Sequence, residues 1–242
     1  MKIRLTWQYL LAFFALNGVI SELHEQAHIN VGRLVTGCYG PRDFNNWNSC
    51  AEGAASLPWA APIAGPLFSY MVVWLGVWLL YRASSMAQRS LAFSLVFAPL
   101  PFARIFTAAM GGGDEKILLT RIFDGMPESL ARWYALALTL LFCAPPIVIA
   151  CRVLASRLRV LYVAGFCVVP LVVIWFYKLK FLNGLLQQGL FAEPVILGTP
   201  LFVHIVFGIM LATLFVMRDW LKRINGRKPM IRGLTEDLAH AA

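Results

Sequence analysis

Charge is scarce in this chain of 242 residues: Asp, Glu, Lys and Arg together make up 14% of it. A soluble domain carries about 25%. Here 60% of the residues are hydrophobic and the mean hydropathy is +0.69. The combination excludes an ordinary soluble globular domain and points to a membrane. Apolar–polar alternation is missing too, which excludes a barrel of outer-membrane type. Histidine is rare, with four in the chain. That excludes a di-iron hydroxylase, which needs a larger histidine set, and argues against a transmembrane b-type cytochrome, which needs axial histidines on facing helices. No small-x-small cleavage site follows the apolar start "MKIRLTWQYLLAFFALNGVIS", so this segment reads as a spanning helix rather than a cleaved signal. Internal repeats and low-complexity segments are absent.

What is present is a series of apolar stretches near 6–30, 58–81, 90–111, 131–151, 158–177 and 198–218. Each approaches the roughly 20 residues that match a bilayer core. Backbone groups in lipid must be satisfied within the segment, so these stretches are expected to be helical. The expected fold class is an all-α, polytopic membrane protein with about six transmembrane helices. Residues 1–220 read as one transmembrane domain, and 221–242 as a basic cytoplasmic tail.

Most of the Lys and Arg fall on one set of connecting segments: Lys2 and Arg4, Arg82 and Arg89, Arg152 to Arg159, and the run beginning at Arg218. The positive-inside rule then puts both termini in the cytoplasm, most simply across a bacterial cytoplasmic membrane. The net charge of +9 is accounted for by that bias and by attraction to anionic lipid. The bilayer is the expected partner, and nucleic acid is not.

One polar motif sits at the end of the first apolar stretch. In "SELHEQAHIN", His24, Glu25 and His28 form H-E-x-x-H. Residues i and i+4 share a helix face, so two imidazoles at this spacing can reach one Zn²⁺. The glutamate after the first histidine projects about 100° round the helix. It can therefore act on a metal-bound water instead of ligating the metal. Ionisable residues in a span are costly and tend to be functional. A third protein ligand is expected. Asp114 follows three glycines in "AAMGGGDEKILL", where glycines can open a helix and turn a carboxylate inward. It is the favoured ligand, with Glu115 and His204 in reserve. Alternatively, Gly111–Gly113 form a turn and Asp114 caps a following helix.

Two further pairings are expected. Cys38 and Cys50 flank the polar loop "CYGPRDFNNWNSC" on the side where disulfides persist, so a bridge is plausible there. Glu22 and Arg104 would otherwise be isolated charges within spans, and are expected to pair. Loop 34–57 and segment 112–128 are candidate gates.

Taken together, these residues resemble the site-2 protease group of intramembrane zinc metalloproteases. Three pieces occur in order over about residues 6–115: HEQAH at 24–28, Ala64-Gly65-Pro66-Leu67, which looks like the A-G-P-L-x-N segment of the next core helix, and Asp114. The resemblance implies Zn²⁺ held by His24, His28 and Asp114, with Glu25 as general base. It implies a substrate or oxyanion region around Gly65, Pro66 and Ser69, and a membrane-protein or membrane-peptide substrate. Ser69 stands where that group usually has asparagine, and the aspartate lies in G-G-D-E where the group has N-P-D-G. The expected function is therefore intramembrane zinc metalloproteolysis. The alternatives are a membrane transporter or a non-catalytic membrane chaperone built on a related metal-binding bundle.

Overall fold

The computed structural model describes residues 1–48, 50 and 57–226. Its main elements are nine α-helices and one small hairpin. Helix α1 spans Trp7–Thr36, α2 Ala60–Arg82, α3 Met86–Phe97, α4 Pro101–Ala109, α5 Asp114–Ile122 and α6 Glu128–Val153. Helix α7 (Arg159–Ile174) continues through a π-helical segment (Trp175–Leu182) into α8 (Asn183–Gln187). Strands β1 (Pro194–Ile196) and β2 (Thr199–Pro200) pair before α9 (Leu201–Met217), which ends in a 3₁₀ turn at Arg218–Lys222.

Five of these helical stretches are long and apolar enough to cross a membrane: Ala60–Arg82, Met86–Ala109, Glu128–Val153, Arg159–Gln187 and Leu201–Lys222. The chain is thus an all-α polytopic membrane protein. Helix α1 is not among the five, although its 30 residues reach about 45 Å at 1.5 Å per residue. Its second half carries Glu22, His24, Glu25, His28 and Arg33, which lower its apolarity below that of the others.

Helix α1 is bounded locally. Thr6 accepts the Tyr9 N–H at its start, and Gly37 closes its end in the left-handed conformation (φ 83°). Between these caps it packs along α2 and α9. Its apolar face enters an aromatic core. Phe13 and Phe93 each meet Phe166 edge to face, with centroids 5.3 and 5.1 Å apart. The buried Tyr9 hydroxyl is satisfied by Ser94 Oγ at 2.8 Å.

The stretch expected at 90–111 is broken in two. Pro99 and Pro101 have no N–H, and Leu100 takes a left-handed conformation (φ 54°). The Phe97 carbonyl then accepts the Leu100 N–H (3.0 Å), and the Ala98 carbonyl accepts from Asn17 Nδ2 of α1 (2.6 Å). Irregular backbone at membrane depth is tolerated where its polar groups are met in this way or line a cavity, and both conditions hold here.

The first residues are tied to the ends of α6 and of the turn after α9 at one end of the bundle. The Met1 ammonium donates to Val153 O (2.7 Å), and the Arg4 N–H donates to Ile224 O (2.8 Å). Burial, and then the neighbouring Arg89, hold the Met1 amine below its ordinary pKa. The expected tail boundary at 221 shifts, because Leu221 and Ile224 are buried in the main core. The rest of that tail, 227–242, lies outside the described residues. The histidine motif, the 38–50 loop and α5 lie toward the opposite end.

Candidate metal centre

Asn17, Ile20, Ser21, His24 and Glu25 form one stripe of α1 that lines a cavity of about 370 Å³. The rest of its wall comes mainly from Asn45 and Asn46, Ser69 of α2, residues of the 98–107 stretch, Gly113–Glu115, and Ile174, Lys178 and Leu179. Gly111 and Gly113 both have positive φ (84° and 96°). That turn swings Asp114 back toward α1 and also starts α5 at Asp114. The glycines thus form a turn that opens a new helix, but Asp114 does not cap it: Gly113 is the N-cap, without a side-chain capping bond, and the Asp114 carboxylate faces the histidines. Asp114 lies beyond the third span, on its own short helix.

His24 Nε2 and His28 Nε2 are 3.1 Å apart, and Asp114 Oδ2 lies 3.3 and 3.5 Å from them. Donors about 2.0–2.1 Å from a tetrahedral zinc would be separated by about 3.3–3.4 Å. The three atoms thus match one face of such a tetrahedron. Among the described residues, these three side chains are the group able to hold a metal.

Both rings are aimed by their other nitrogen. His28 Nδ1 lies 2.7 Å from the Ala61 carbonyl, and His24 Nδ1 lies 2.9 Å from Ser69 Oγ. A carbonyl only accepts, so His28 Nδ1 carries a proton, and in the neutral ring Nε2 is then the nitrogen with the electron pair. Ser69 Oγ can accept or donate; in the tautomer where His24 donates to it, both Nε2 atoms turn electron pairs toward Asp114 Oδ2. That arrangement favours a cation, and the ring partners are those that orient metal-bound histidines. Trp47 stacks on His28, with centroids 4.9 Å apart and planes at 20°.

Gly65 makes this closeness possible. A Cβ at Gly65 would overlap His28 Nε2 and come within 2.7 Å of His24 Cε1. Pro66 is buried beside it in α2. Ser69 is 3% exposed and is engaged with His24, so its role in this chain is to orient that ring. Ser69→Ala is expected to lower metal affinity about 10- to 100-fold without unfolding the bundle; competition against a zinc chelator measures it.

Glu25 is 6% exposed, and its Oε2 has no hydrogen-bond partner among the described residues. A buried carboxylate oxygen left without a partner is costly. Its position on the cavity wall, beside both histidines, supplies a place for water.

The reserve ligands are otherwise engaged. Glu115 is 2% exposed, accepts from Arg104 Nη2 (2.6 Å) and Nε (3.1 Å), and is bonded by the Tyr70 hydroxyl. His204 Nε2 bonds the Ile196 carbonyl (2.9 Å). Arg104 also reaches Asp114 Oδ2 (3.2 Å), and so braces the third corner of the triangle.

The expected Glu22–Arg104 pair is incorrect. Glu22 pairs in two-pronged fashion with Arg42, Nη1–Oε1 2.8 Å and Nη2–Oε2 2.9 Å. Arg104 is used by Asp114 and Glu115. The spans alone offered Arg104 to Glu22, but the 38–50 loop folds inward and delivers a nearer guanidinium. Cys38 and Cys50 are disulfide-bonded. Phe44 enters a small apolar cluster with Leu182, Leu186, Phe202 and Val203, and the Phe44 N–H donates to Asn183 Oδ1 (3.1 Å). The loop therefore closes over the site, with Asn45 and Asn46 on the cavity wall.

Comparison with protein-family models, curated proteins and solved structures finds no match. The functional reading of the site rests on its own chemistry.

Sequence reasoning missed Arg42, Trp47, Tyr70 and Lys178. Lys178 had a visible signal, a lysine inside the apolar run "VVIWFYKLKFL". It read as the outer end of a span because nothing local shows that the helix runs on to Gln187.

Proposed function

We propose that this protein is a membrane-embedded zinc peptidase. His24, His28 and Asp114 hold Zn²⁺, and Glu25 is the general base. The observation that carries this is the triangle of 3.1, 3.3 and 3.5 Å beside a buried carboxylate oxygen that has no partner among the described residues. Bound zinc lowers the pKa of water to about 7 and polarises a carbonyl. Glu25 takes the water proton as the oxygen adds to the scissile carbon, then passes it to the leaving amine. Ser69 and the Ala61 carbonyl hold the rings in place, Arg104 holds Asp114, and Trp47 with its loop keeps bulk water from His28.

A peptide bond in or beside a membrane segment is the substrate that suits this setting, since the cavity lies among apolar helices. The charge bias places both termini in the cytoplasm. A Cys38–Cys50 bridge on the site's side suits an oxidising compartment there, as that orientation would give.

Metal content of the purified protein tests the proposal. The expected result is about one zinc per chain, kept in Glu25→Gln and lost in His28→Ala and Asp114→Ala. Membrane peptides that accumulate uncleaved in cells carrying Glu25→Gln, by quantitative mass spectrometry, should disappear when the wild type is restored. A folded wild type without zinc would end the peptidase reading and leave the transporter and the chaperone.

A further inference from the structure

Lys178 lies in the π-helical segment Trp175–Leu182, where a widened turn commonly marks function. A lysine within a span is costly and normally pairs with a carboxylate. No carboxylate lies within ion-pair distance of Lys178 among the described residues. Its Nζ instead donates to Ser21 Oγ at 2.6 Å. Ser21 precedes His24 by three residues and Glu25 by four, so it neighbours each of them on the helix surface, with its Cβ about 5–6 Å from theirs. The ammonium is thereby tethered one turn from His24 and Glu25. Lys178 also lines the same cavity as His24, Glu25 and Asp114.

A second cavity, of about 130 Å³, shares Asn17, Ser21, Ile174 and Lys178 with the first. Its remaining wall is mostly apolar, with Phe14, Val203, Val206 and Met210 among the residues forming it, and its one carboxylate, Glu22, is held by Arg42. Lys178 therefore stands at the junction of a polar reaction chamber and an apolar side chamber. A peptide bond entering there would place its carbonyl in the chamber that holds the base and an adjoining aliphatic side chain in the other.

We propose that Lys178 is a catalytic residue that donates a hydrogen bond to the oxygen of the scissile carbonyl. This rests on the peptidase reading above. As the water oxygen bonds to the carbonyl carbon, the π pair moves onto the carbonyl oxygen, and Glu25 receives the water proton. Lys178 stays protonated and offsets the new negative charge. When the C–N bond breaks, the electron pair returns from oxygen to carbon, and the amine leaves with the proton from Glu25. A fixed cation aimed at developing charge in a low-dielectric site is the largest single contribution in many hydrolases.

The test compares wild type, Lys178→Met and Lys178→Arg, each measured for zinc content, thermal unfolding in detergent, and affinity for one probe. The probe is the acetylated, amidated phosphinic pseudopeptide Leu-ψ(PO₂–CH₂)-Leu-Ala, whose anionic tetrahedral phosphorus resembles the developing adduct. In Lys178→Met we expect zinc and fold to be retained, because methionine fills similar volume without a buried charge. Its probe affinity should fall by about 100-fold or more, and Lys178→Arg should recover part of the loss. Equal probe affinity in wild type and Lys178→Met, including none in either, with zinc present in both, would overturn the role of Lys178 alone. Wild type without zinc would instead overturn the peptidase reading beneath it.

Discussion

Gly65→Ala is expected to abolish the zinc binding proposed for His24, His28 and Asp114 while the bundle stays assembled. The added methyl would sit on His28 Nε2 and within 2.7 Å of His24 Cε1. Neither ring can swing aside freely. Each is tied through Nδ1 to α2 itself, His28 to the Ala61 carbonyl and His24 to Ser69. Relief therefore means breaking a ring-orienting bond or moving α2 away from α1, and either spreads the ligand triangle. Orienting bonds alone are worth about 10- to 100-fold in metal affinity, so a loss of at least about 100-fold follows when both rings move. Zinc stoichiometry and circular dichroism on the same sample check this. A full zinc complement in Gly65→Ala would mean that the histidines do not pack against α2 as described.

Arg42→Ala should produce the largest loss of stability among the single substitutions considered. It strands Glu22, whose side chain is 7% exposed and whose carboxylate both guanidinium prongs now engage. Removing one member of a buried pair costs about 3–5 kcal/mol, because the remaining charge is left without a partner. Gln26 would still donate to Glu22 Oε1 (2.8 Å), which is too little to hold a carboxylate in the bundle. The same change frees the loop that covers the site, so proteolysis within 38–50 should rise as well. Replacing both partners, Glu22→Gln with Arg42→Met, should recover most of the loss. A double-mutant cycle in detergent measures the coupling, and purely additive losses would count against the pair. Glu22 and Arg104 should show no such coupling.

These two predictions draw on different parts of the molecule, and they separate what could be read early from what could not. The H-E-x-x-H motif was legible because its geometry is local: four residues along a helix bring His24 and His28 onto one face whatever surrounds them. The apolar stretches were legible because bilayer depth sets a length and a composition. Asp114 stood out because three glycines precede it, and glycine relaxes the backbone where a chain must turn sharply. Glu22 was assigned the wrong partner because Arg104 is the arginine that lies well inside another expected span, whereas Arg132, Arg159 and Lys178 stand at span ends. Arg42 sat in a polar loop, and nothing in its neighbours reveals that the loop folds inward. The fold of that loop depends on contacts far along the chain, from Phe44 to Leu182 and Phe202 and from Asn183 back to Phe44.

The sequence by itself determined a helical membrane protein with a two-histidine, one-glutamate motif on its first helix, since periodicity and apolar length act within a single segment. Only the tertiary structure decided which residues surround that motif. It set Gly65 against the rings, Ser69 and the Ala61 carbonyl behind them, Asp114 across a three-glycine turn, Arg42 under a disulfide-closed loop, and Lys178 on a π-helical turn of a distant span. Each of these placements follows from side chains packing across helices, and distance along the chain carries no information about distance across a packed interface.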